Sequence, residues 1–107
     1  VIVTGDFNVG EANPAIATLT GPSSGPGQSP QGSAAFVDTF RVLHPDAKEA
    51  GTFSGFTFGN TGPDKIDYVL VQPGTDVLSA EINRFSRDDR YPSDHFPVAA
   101  VVRLRGR

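Results

Sequence analysis

Apolar and polar positions along this chain fall into short blocks, each with its own period. Val1 to Asp6 crowds β-branched residues together without polar alternation, the pattern of a short buried strand. Asn13 followed by Pro14 supplies an N-cap and a first-turn proline, and Gly21 supplies a stop. A helix is predicted between them, with Ile16 and Leu19 facing inward. Phe36, Val37, Phe40 and Leu43 follow at spacings of one, three and three, the apolar stripe of a second short helix ended by Pro45. His44 then stands at a helix end, an ordinary place for a histidine without a ligand role. Residues 21–32 contain only Gly, Pro, Ser and Gln. That composition cannot offset its ordering entropy by burial and predicts a flexible surface loop.

The second half reads as strands. GTFSGFTFG, residues 51–59, is aromatic and β-branched with glycine breaks, and Asn60 to Pro63 mark a turn. The run from Lys65 to Gln72 is bounded by Pro73 and Gly74. Alternation puts Ile66, Tyr68 and Leu70 on one face and Asp67, Val69 and Val71 on the other. Asp67 therefore lies among apolar residues and needs a partner. Val77 to Phe85 predicts a further strand near an edge, and Phe96 to Leu104 a last one with Phe96, Val98, Ala100, Val102 and Leu104 on one face.

Composition narrows the class. A chain of 107 residues holds one domain at most and buries roughly two thirds of its unfolded surface. Hydrophobic content of 37% and charge content of 20% are those of a soluble globular protein, and no apolar run approaches the roughly 20 residues of a membrane span. Stable membrane insertion is not expected. A net charge of −3 offers no basic footprint for a long nucleic-acid contact. Zero cysteines exclude disulfides and thiolate metal sites and leave the compartment open.

Three polar clusters stand at the ends of apolar strands: GDFN, the Asp of DKIDYVLV, and SDH in YPSDHFPV. An unpaired buried carboxylate costs several kcal/mol, so strands that each deliver an Asp to a terminus imply a shared polar site if their ends converge. Asp6 and Asn8 would share one side of an extended backbone. A carboxylate that orients or deprotonates water, an amide that donates to a phosphate oxygen and a histidine that stabilises developing charge together suit phosphate-ester chemistry. Oxygen ligands without thiolates favour Mg²⁺ or Mn²⁺ over Zn²⁺.

The ordered trio GDFN, IDYVLV and PSDHFPV resembles the endonuclease/exonuclease/phosphatase superfamily of Mg²⁺-dependent phosphoesterases. The resemblance covers the chain and implies an α/β (α+β) fold: the C-terminal half of a two-sheet sandwich, mostly antiparallel strands with two short helices. It implies that Asp6 activates or orients the attacking water, that Asn8 contacts the scissile phosphate, that Asp67 orients a catalytic His95, and that Asp94 joins Asp6 in the metal-binding set. The substrate would be a phosphate ester, whether nucleic acid, phospholipid head group or soluble compound. The family's N-terminal half, with its metal-binding Glu, is not seen in these residues, so the chain alone is expected to lack useful activity. The competing reading is a non-catalytic half domain that associates through an exposed sheet.

Blander readings stand beside these. Asp6 and Asn8 are also turn formers. A calcium loop counted from Asp6 would need glycine at Glu11 and glutamate at Ala17, and fails. Ser93, Asp94 and His95 lack the G-x-S-x-G context of a nucleophile elbow. Asp64, Lys65, Arg87, Asp88, Asp89 and Arg90 read as a solvated turn and loop, and Tyr68 as a core residue with its hydroxyl bonded locally.

Overall fold

The strand with apolar residues on both faces becomes the centre of a sheet. In the computed structural model, which describes residues 1–21 and 35–105, the chain runs β1 (Ile2–Asp6), α1 (Pro14–Thr20), β2 (Val37–Asp38), α2 (Thr39–Leu43), β3 (Asp67–Val71), β4 (Asp76–Ile82) and β5 (Val98–Arg103). β3 lies between β1 and β2 in a three-stranded sheet, and β4 pairs with β5 in a two-stranded one. All of these pairings are antiparallel. The result is a small α+β fold of antiparallel sheets with two helices. β3 touches β5, and α2 packs against both β3 and β4, so the two sheets are joined through them.

Asn13 caps α1 as the sequence predicts, its side chain accepting the Ala15 N–H at 2.9 Å. The helix lays Ile16 on Tyr68 and Leu70 of β3, and Val3, Phe7, Val9, Leu19 and Phe36 pack around them. The Tyr68 hydroxyl lies between the carbonyls of Lys65 (2.7 Å) and Val9 (3.0 Å), so a core tyrosine bonded locally is what forms. Burial holds its pKa above the ordinary range.

Several expectations are corrected. β1 is not a buried strand: β3 covers one of its edges only, and Ile2 is 47% exposed. The second helix starts later than its stripe suggests, because Val37 and Asp38 pair with Val71 and Leu70. Asp38 then caps the helix by accepting the Phe40 N–H at 3.0 Å. GTFSGFTFG does not form a strand. Only Phe53 makes a β-bridge, to His95, and the left-handed backbone at Gly55 and Phe56 (φ 62° and 67°) turns the chain away. β4 carries a bulge between Val77 and Ser79 and leaves Leu78 exposed. β5 ends at Arg103, before Leu104, which is exposed. Apart from Gly21, the loop expected over 21–32 lies outside the described residues.

Lys65 departs furthest from its solvated reading. Its side chain is fully buried, with Nζ 2.7 Å from Asp38 Oδ2 and 3.6 Å from the centre of the Tyr68 ring. Burial pulls the ammonium pKa down, against the charge and hydrogen bond of Asp38. The flanking glycines and prolines hid this ion pair, because its partner is supplied 27 positions away.

Candidate active site

Register builds the site. Asp6 lies directly opposite Asp67 in the β1–β3 ladder, so the two side chains leave the sheet on the same face. Like charges opposed in this way are destabilising unless something positive lies between them. His95, in the loop before β5, supplies that group. Its Nδ1 is 2.8 Å from Asp67 Oδ2, and its Nε2 is 3.6 Å from Asp6 Oδ2. The hydrogen bond to Asp67 raises the imidazole pKa most; burial opposes it, and the charges of Asp67, Asp6 and Asp94 add to the rise. The Phe53 ring stands edge-on to the imidazole with centroids 5.1 Å apart.

The three groups remain accessible to water, with side-chain exposures of 28% for His95, 36% for Asp6 and 17% for Asp67. They line a cleft of about 520 Å³, together with Thr4, Ser93 and Phe96. A larger hollow of about 670 Å³, walled by Phe85, Arg87, Arg90 and Tyr91, contains none of these groups. Chemistry, rather than size, selects the first.

Asp6 is also a turn former. Its Oδ1 accepts the Asn8 N–H at 2.8 Å, and Asn8 takes φ 57°, so the backbone is not extended there. Strand alternation therefore does not place the Asn8 side chain beside that of Asp6, and Asn8 is not among the residues lining the cleft. Asp94 does not join the Asp6, Asp67 and His95 cluster, whose ligand atoms lie within 4.8 Å of one another. Its carbonyl instead accepts the N–H groups of Ser54 (2.7 Å) and Gly55 (3.3 Å), while the Ser93 hydroxyl accepts the His95 N–H at 3.1 Å.

Sequence reasoning missed the seat beneath His95. Thr52 and Ser54 are fully buried and bond both the SDH loop and the start of β3. Their signal was small hydroxyl residues alternating with Phe53. Arg84 turns to the carbonyls of Glu49 (2.7 Å) and Gly51 (3.0 Å) and covers the Phe96 ring, bracing the same segment.

The donor set suits a hard divalent cation in part. Asp67 and Nδ1 of His95 satisfy each other, which leaves the Asp6 carboxylate, exposed and oxygen-only, as the group free to take a cation. Mg²⁺ commonly binds through one or two carboxylates, with water and substrate phosphate completing its shell.

Residues 1–95 match the Endonuclease/Exonuclease/phosphatase family, a span that contains GDFN and DYVLV and closes on His95. This chain belongs to that family. Two solved structures resemble this endonuclease/exonuclease/phosphatase chain in fold. One is a conserved protein of unknown function from Enterococcus faecalis V583, with TM-score 0.69, 26% identity, and coverage of 97% of this chain and 36% of that one. The other is a mannosyl-6-phosphatase from Bacteroides thetaiotaomicron VPI-5482, with TM-score 0.66, 26% identity, and coverage of 96% of this chain and 37% of that one. The chain thus spans little more than a third of the length of either structure. No curated protein matches it in sequence. Among the described residues, no helix is long and apolar enough to cross a membrane.

Proposed function

We propose that this chain contributes the Asp6, Asp67 and His95 part of the active site of a metal-dependent phosphoric ester hydrolase. The observation that carries this reading is the array Asp67–His95–Asp6 lining a solvent-accessible cleft, built by one ladder pair and one loop. Asp67 holds the imidazole by Nδ1, which turns Nε2 toward the cleft. His95, its positive form favoured by two flanking carboxylates, donates to phosphate oxygens as negative charge develops on them. Asp6 orients a water molecule for in-line attack and accepts its proton, and Asn8, which does not line the cleft, is given no phosphate contact in this reading.

Asp6 would hold Mg²⁺ or Mn²⁺; Asp94, which lies outside the Asp6, Asp67 and His95 cluster, is not part of this reading. Such a cation supplies charge neutralisation at the phosphate and the leaving group. Among phosphate esters, the net charge of −3 and the likeness to a mannosyl-6-phosphatase favour a small soluble ester, such as a sugar phosphate, over duplex nucleic acid. The test is hydrolysis of an activated phosphodiester and of a hexose 6-phosphate by the protein as its gene encodes it, with Mg²⁺ or with chelator. His95→Ala and Asp6→Ala are each expected to lower the rate by roughly 10²- to 10⁴-fold. Hydrolysis that survives both the chelator and His95→Ala refutes the mechanism.

A further inference from the structure

Asp67 and His95 come from segments 28 positions apart, and no strand pairing joins their backbones directly. Thr52 bridges them. Its side-chain Oγ1 accepts the N–H of Ile66 at 2.9 Å and lies 3.3 Å from the N–H of Asp67, at the point where β3 begins. Its main-chain carbonyl accepts the N–H of Phe96, the residue after His95, at 2.8 Å. Its own N–H donates to the Asp64 carbonyl at 3.2 Å. One fully buried residue therefore fixes the backbone on both sides of the Asp67–His95 hydrogen bond, and neither fixed point depends on Asp6 or on a cation.

We propose that Thr52 is a positioning residue for this site: through its hydroxyl and carbonyl it sets the distance between Asp67 and His95. The proposal rests on the reading of Asp67 and His95 as the working pair. The hydroxyl is the discriminating part, since valine has nearly the same shape but leaves the Ile66 and Asp67 N–H groups without their acceptor. Serine keeps the acceptor and loses only a methyl. Displacement of the Asp67 carboxylate by a fraction of an ångström would lengthen a hydrogen bond whose strength falls steeply with distance and angle.

The test reads that bond directly, on this chain and without substrate or metal. In wild type, the proton on His95 Nδ1 is expected as a strongly downfield NMR resonance that Asp67→Asn removes. Thr52→Val should lose or markedly broaden the resonance while the chain still melts cooperatively, and Thr52→Ser should restore it. A folded Thr52→Val variant that keeps the wild-type resonance overturns the proposal, as does Thr52→Ser behaving like Thr52→Val. If Thr52→Val does not fold, amide exchange on wild type decides instead. The Ile66 and Asp67 amides should be protected to the same extent as that of Phe96, and rapid exchange at Ile66 refutes the bridge. Inactivity of His95→Ala, or its absence, bears on the proposed reaction and leaves this outcome untouched.

Discussion

At the scale of single residues, the cleft is governed by which atom of each side chain is already engaged. Asp6 uses Oδ1 to close its own turn onto the Asn8 N–H and presents Oδ2 to His95, so one carboxylate serves as turn former and as site residue. Asp67 is committed to Nδ1 of His95. Asp67→Asn is therefore expected to reduce hydrolysis by roughly 10²-fold or more while moving the melting temperature little, because the site is partly solvated. Matched rate and melting measurements check this, and unchanged activity would detach Asp67 from the reaction. Gly51 sets a second residue-scale limit. A Cβ there would run into the carbonyl oxygens of Thr61 and Gly62, backbone atoms that cannot swing aside. Gly51→Ala should cost about 1–3 kcal/mol in denaturant unfolding and loosen the segment beneath His95.

Among the elements, β3 concentrates the constraints. It carries Asp67 on one face and the Tyr68 and Leu70 core on the other, and at its start Lys65 is buried against Asp38, which caps α2. Removing one partner of such a pair strands a charge in the interior. Lys65→Met is expected to destabilise the chain by about 3–5 kcal/mol. Combining it with Asp38→Asn should cost less than the sum of the two single changes. Urea unfolding of the two single variants and the double variant measures the coupling, and strict additivity would show that the pair is not interacting. Because β3 also positions Asp67, the single variants should disturb the cleft as well as the core.

Across the whole molecule, Glu11 and Arg41 tie the loop after β1 to α2 by a two-pronged ion pair at 2.7 and 2.8 Å. Arg41 also donates to the carbonyls of His44 (3.0 Å) and Ala47 (2.7 Å). Burial pushes the Glu11 carboxyl up, but the hydrogen bond and charge of Arg41 outweigh it, and its pKa falls below the ordinary 4.5. A lowered carboxylate contributes stability that is present above pH 4.5 and is lost as the pH drops through the folded value. Glu11→Gln should therefore flatten the fall in melting temperature between about pH 5 and pH 3. An acid limb identical to that of wild type would count against the tie.

Local patterns in the amino-acid order determined several of the elements and which residues are candidates for the chemistry. The Asn13–Pro14 start of α1, the two-faced run that becomes β3, and the ordered GDFN, IDYVLV and SDHFPV clusters are all legible because capping, alternation and polar residues at strand ends act over a few neighbouring positions. Asp67 could be read as needing a partner, but the identity of that partner could not be derived from its neighbours. The pairing of Val37 and Asp38 with β3, the burial of Lys65, and the failure of residues 51–59 to form a strand depend on contacts made across tens of residues. The same holds for the site: Asp6 meets Asp67 through ladder register, and His95 reaches both because Thr52 and Ser54 seat its loop. Long-range register and buried hydroxyls leave no period in a sequence, since their energy is realised only when the distant backbone they bond to is already in place.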